Sequence, residues 1–155
     1  MTKKELACLI LALSLVVVKA FGCEDLLLEN GSIIPPAPGS QYAVGYFHIK
    51  NASQKKIVIK NFSSTVFESI SIHRTSHSHS KTMSEMRLVN ELSILSQERL
   101  IAQPGGTHLM IRVPSDSYRF TDQHIKLVVS CERKPSSAML FLVSHRESKH
   151  SKNHQ

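Results

Sequence analysis

The chain predicts an all-β domain, an antiparallel sandwich or barrel. Three observations point there. Short runs rich in β-branched and aromatic residues recur, proline and glycine clusters separate them, and beyond the N-terminal segment no window of twelve or more residues carries helical periodicity. The first run, 41–50 (QYAVGYFHIK), closes on an Asn51-Ala52-Ser53 turn, and 56–62 (KIVIKNF) follows. Residues 66–73 (VFESISIH) alternate Ile70 and Ile72 against Ser69, Ser71 and His73, the period-two pattern of a half-buried strand. Later runs are 86–89, 92–95, 108–113, 124–131 and 138–144, with breaks at Pro35–Gly39, Pro104-Gly105-Gly106, Pro114 and Pro135. Strands this short, with turn signals this close, fit two packed antiparallel layers.

The ends of the chain stand apart from that domain. Lys3 and Lys4 precede an apolar run of 13 residues, Leu6 to Val18, interrupted only by Ser14, and small residues follow at Ala20 and Gly22. The run is short for a membrane span and has the three-part pattern of an export signal. Residues 1–22 are therefore read as a signal peptide cleaved after Gly22, with Ala20 a second candidate, and residues 23–144 as one domain. A lipoprotein signal with Cys23 acylated is a third reading. The tail, residues 145–155 (HRESKHSKNHQ), is basic and polar and has no apolar residues to bury, so it is expected to be disordered.

Export changes how the cysteines read. Cys8 leaves with the leader, so the mature chain keeps Cys23 and Cys131. Outside the cytoplasm two thiols tend to oxidise, which predicts a Cys23–Cys131 disulfide; the alternatives are an acylated or free Cys23 and a buried apolar Cys131. There is no Cys-x-x-Cys, which argues against a thiol oxidoreductase. The leader carries three lysines and one glutamate, so +2 of the +7 formal charge leaves with it and +5 remains. Solubility accounts for that excess, although it would also suit an anionic lipid surface or an acidic partner. Export and the lack of an aromatic stacking platform argue against nucleic acid. No serine sits in a nucleophile elbow, so hydrolysis is not indicated.

The functional signal is a spacing of soft and borderline donors: Met86, then 21 residues, then His108-x-Met110, with His73 upstream. Thioether sulfur favours Cu(I), imidazole suits copper in either oxidation state, and zinc would call for more nitrogen, thiolate or carboxylate donors. His108 and Met110 lie two apart in a strand, so both point to one face. Taken singly, each residue has a plainer explanation, the methionines as core filler and the histidines as surface or hydrogen-bonded residues.

Those residues resemble the PCuAC family of periplasmic copper chaperones, whose signature is a His, a Met about a dozen residues later, then x21-His-x-Met. The likeness extends to AVGYFHIKNAS at 43–53 and PGGTHLM at 104–110, and covers roughly residues 35 to 130. It implies a Greek-key, cupredoxin-like β-sandwich holding one Cu(I) through His73, Met86, His108 and Met110. It also implies delivery of copper in the periplasm to a haem–copper oxidase subunit, alongside a second, thiol-based copper chaperone.

Two departures stand out. Twelve residues separate His73 from Met86 where the family commonly has eleven, which brings Met83 in as a rival donor, and Arg74 stands where the family often has Met. His77 and His79, and the tail histidines His145, His150 and His154, are candidate accessory Cu(II) ligands; His48 and His124 are read as structural. The expected state is a monomer, not an enzyme, with membrane contact only if Cys23 is lipidated. The competing readings are a copper-buffering or resistance protein with the same site, and a secreted adhesion or structural sandwich with no metal.

Overall fold

The computed structural model describes residues 23–77, 84–115, 118–132 and 136–144. The signal-peptide and tail assignments, together with His79, Met83, His145, His150 and His154, lie outside the described residues.

A single 3-10 turn, Cys23–Asp25, leads into ten strands: β1 Leu26–Ile34, β2 Tyr42–Asn51, β3 Ile57–Ser63, β4 Ser69–His77, β5 Ser84–Leu88, β6 Leu92–Ile94, β7 Arg99–Ala102, β8 Thr107–Arg112, β9 His124–Cys131 and β10 Ser137–Val143. They form one sheet in the order β5-β4-β8-β2-β1-β10-β9-β3-β6, with β7 pairing the second half of β2. The all-β, cupredoxin-like expectation holds. Among the described residues every pairing is antiparallel except β1 with β10, where Ser32 meets Leu142 and Ile33 meets Val143.

The sheet curls so that one face encloses the core. Phe47 on β2 packs against Phe62 on β3 and Phe141 on β10, at ring separations of 5.2 and 6.4 Å. Ile33, Ile49, Ile59, Leu109, Ile111 and Leu127 fill the space around them, all fully buried. These side chains alternate along their strands with outward-facing residues, as in Ala43, Gly45, Phe47 and Ile49 inside against Val44, Tyr46 and His48 outside. That alternation gives the outer face of β5-β4-β8-β2 a mixture of polar, sulfur-bearing and apolar side chains, Val44 and Leu88 among the last.

Two cross-links hold the far end. Asn51 is wholly buried, and its amide donates to the carbonyls of Lys55, Ile94 and Leu95 while its oxygen accepts from Ser53. This ties the turn after β2 to the end of β6. The predicted disulfide is present: Cys23 and Cys131, 108 positions apart, are bonded with their Cα atoms 5.7 Å apart. A sulfur engaged in that bond cannot also carry a thioether lipid, so the bonded state excludes acylation of Cys23.

Candidate metal centre

The strand register decides which donors can meet. His73 on β4 stands directly opposite His108 on β8, and Ser71 stands opposite Met110. On the other side of β4, Thr75 pairs with Met86 and His73 with Leu88. Cross-strand partners share a face, and so do residues two apart in a strand. His73, Met86, His108 and Met110 are therefore all on the outer face of three neighbouring strands. The histidines occupy the centre, with their rings stacked at 6.0 Å between centroids and inclined by 28°. Met110 and Met86 flank them diagonally, on opposite sides, which leaves it to the long thioether side chains to close over the imidazoles.

Exposure differs across the four. His108 is buried (6% exposed), His73 and Met110 are half-buried, and Met86, on the edge strand β5, is 50% exposed. The cluster is thus sunk at its histidines and open at Met86. Tyr46 on β2 covers the β8 side, its ring 6.5 Å from that of His108.

Each imidazole is held at one nitrogen. His108 Nδ1 lies 3.1 Å from the Gly106 carbonyl, which only accepts, so Nδ1 carries the proton and Nε2 keeps its lone pair. His73 Nε2 lies 3.0 Å from Ser71 Oγ, and His73 Nδ1 is buried without a hydrogen-bond partner. Buried polar atoms are rarely left unpaired. An orphaned imidazole nitrogen beside a second imidazole with a free lone pair, with thioethers on the same face, is a donor set suited to a soft monovalent cation such as Cu(I). Among the described residues no group of three or more His, Cys, Asp or Glu forms a cluster, so a conventional zinc or calcium cage is not offered there.

Burial, and secondarily the neighbouring His108, hold the His73 imidazole below its ordinary value of 6.5. The unfolded chain then takes up that proton first, so the metal-free fold loses stability as pH drops below 6.5. The denaturation midpoint is expected to be lower at about pH 5 than at about pH 7.5, and the difference smaller in His73→Gln. Equal pH dependence in the two proteins would contradict this.

The departures noted in the sequence now have places. Arg74 alternates with His73, so it points to the other face; its Nε donates to Thr107 Oγ1 at 3.3 Å, and a methionine there would not face the cluster. Strand β4 starts later than the run at 66–73 suggested and runs on through Ser76 and His77. His48, opposite Asn30 and Ile101, and His124, opposite Leu142, sit on other strands and do not join the pair. A cleft of about 490 Å³ between the proline-rich loop and Tyr118 and Phe120 has no imidazole or sulfur in its lining among the described residues. Sequence reasoning passed over Ser71, Tyr46 and the Gly106 carbonyl, because a serine in an alternating strand reads as solvent-facing and a carbonyl leaves no mark in sequence.

A family profile described as "Putative lipoprotein LpqE-like" matches residues 26–139. Among solved structures, the apo PCuAC domain of PmoF2 superposes with a TM-score of 0.62 at 15% identity, covering 82% of this chain and 95% of that one. The copper-bound form of the same domain gives 0.61 at 14% identity, covering 83% and 99%. The solution structure of CuI-DR1885 from Deinococcus radiodurans gives 0.54 at 16%, covering 89% and 87%. At these identities the likeness establishes the fold. No curated protein matches the sequence.

Proposed function

The chain belongs to the LpqE-like family and has the PCuAC fold, and from that premise we propose that it is an exported Cu(I) carrier. The cargo is held by His73, Met86, His108 and Met110 and released by ligand exchange. The observation that carries this reading is the register: His73 against His108, with Met110 and Met86 on the same face. The copper-bound states of PmoF2 and DR1885 are consistent with the same cargo here.

Neutral thioethers bind Cu(I) without losing a proton, and His73, held below its ordinary value, stays neutral at the pH of use. Buried His108 anchors the ion, and half-exposed Met86 is where a recipient's ligand enters and displaces a donor. This is transfer by exchange, with no covalent chemistry on the protein. The recipient is proposed to be the copper centre of a haem–copper oxidase subunit, with a thiol-based chaperone handling the ion alongside. The protein is read as a monomer exported to the periplasm and, because its sulfur is in the disulfide, free of lipid at Cys23.

Mass spectrometry under non-denaturing conditions, without oxygen and with ascorbate keeping copper as Cu(I) while the disulfide stays intact, tests the carrier reading. One Cu(I) per chain, passed to an apo oxidase copper domain on mixing, is the expected result. Retention of copper in that mixture would favour a buffering protein with the same site, and no uptake at all would favour a metal-free sandwich.

A further inference from the structure

We propose that Ser71 is the positioning residue of the site: it fixes the tautomer of His73 so that Nδ1, not Nε2, presents the lone pair. The inference rests on the copper reading above and assigns a role to a residue outside the ligand set.

The argument is one of hydrogen-bond accounting. Ser71 and His73 lie two apart on β4 and share its outer face, with Ser71 Oγ 3.0 Å from His73 Nε2. Neutral imidazole has one N–H donor and one acceptor nitrogen. If Ser71 donated to Nε2, the proton would sit on Nδ1, which is buried and without a partner, and an N–H donor would be stranded. Orphaned buried N–H groups are rarer than under-satisfied acceptors. If instead Nε2–H donates to Ser71 Oγ, the hydroxyl proton is free to turn to the Met110 carbonyl, 3.4 Å away. Nδ1 is then a lone pair in a buried spot, which a soft cation can satisfy.

The second arrangement leaves no donor unpaired, and it mirrors the other histidine, where the Gly106 carbonyl fixes Nδ1–H and frees Nε2. The two imidazoles therefore present opposite nitrogens. Hydrogen-bond partners that fix a ligating histidine's tautomer in this way typically matter about 10–100-fold in metal affinity. The same hydroxyl links the two strands of the site, since the carbonyl it reaches belongs to Met110, itself a proposed donor.

Nitrogen NMR of ring-labelled, metal-free protein reads the tautomer directly, before any copper is added. His73 is expected as the Nε2–H form in the wild type. Ser71→Ala should lose that preference and bind Cu(I) about 10–100-fold more weakly, and Ser71→Thr, which keeps the hydroxyl, should restore both. An Nδ1–H tautomer in the wild type overturns the assignment, as does a Ser71→Ala protein with unchanged tautomer and affinity. Failure of the wild type to take up Cu(I) refutes the copper reading and this role with it, and is told apart from a failure of the tautomer argument because the NMR measurement needs no metal.

Discussion

Met110→Leu is expected to weaken Cu(I) binding by more than about tenfold while hardly changing the stability of the fold. Leucine nearly conserves volume and apolarity, so what it removes is the sulfur. Met110 is half-buried on the outer face of β8, opposite Ser71 and Val44, and stands outside the closely packed interior formed by its neighbours Leu109 and Ile111. A loss of stability with unchanged copper affinity would make Met110 an ordinary packing residue. His108→Ala should cost more affinity than Met110→Leu, because it removes the donor at the buried centre of the cluster. Met86→Leu should cost least of the three: Met86 lies on an edge strand, diagonal to His73, and is half-exposed. Competition against a Cu(I) chromophore, with chemical denaturation run in parallel, separates the two effects for each variant.

Loss of the disulfide is the second large effect. Reduction, or Cys131→Ser together with Cys23→Ser, should destabilise the fold by roughly 3–5 kcal/mol, because the bond closes a loop spanning most of the domain. The site should be spared. Cys131 ends β9, three strands away from β2 across β10 and β1, and the His/Met face lies beyond β2 on β8, β4 and β5. Under native conditions the double variant is therefore expected to bind Cu(I) with wild-type affinity while unfolding at lower denaturant. A loss of affinity with stability retained would tie the cysteines to the metal. Intact mass of the exported protein checks the premise: two cysteines oxidised, with no added lipid.

Much of the fold was legible because burial of alternate residues is a local property. The runs at 41–50, 56–62 and 124–131 became β2, β3 and β9 almost residue for residue. Strand β1 was not read. Its Glu29-Asn30-Gly31-Ser32 looks like a turn, yet it forms strand with a register shift between Leu28 and Asn30. A Cβ at position 31 would lie 3.0 Å from side-chain atoms of Phe141 and Leu28, so those side chains would have to shift to admit one. A requirement set by a ring more than a hundred residues away leaves no local signal. Strand β7 was missed for a different reason: it is only four residues long, set between the left-handed turn at Gln97 (φ 62°) and the Pro104-Gly105-Gly106 turn. The parallel contact of β1 with β10 joins the two ends of the domain, which no window of sequence can register.

The site divides in the same way. The shared face of His108 and Met110 follows from their spacing alone. The meeting of His73 with His108 depends on a strand register between β4 and β8, and the spacing suggested it only through the family likeness. The hydrogen bonds that orient the two rings, to Ser71 Oγ and to the Gly106 carbonyl, come from geometry and could not have been read beforehand.

The central claim is that two imidazoles and two thioethers on this face hold one cuprous ion. X-ray absorption on the Cu(I)-loaded protein addresses it most directly, because sulfur and nitrogen neighbours scatter differently. The account predicts a shell of mixed nitrogen and sulfur, with the sulfur contribution reduced in Met110→Leu. A shell of nitrogen and oxygen alone, or one unchanged by that substitution, would contradict it.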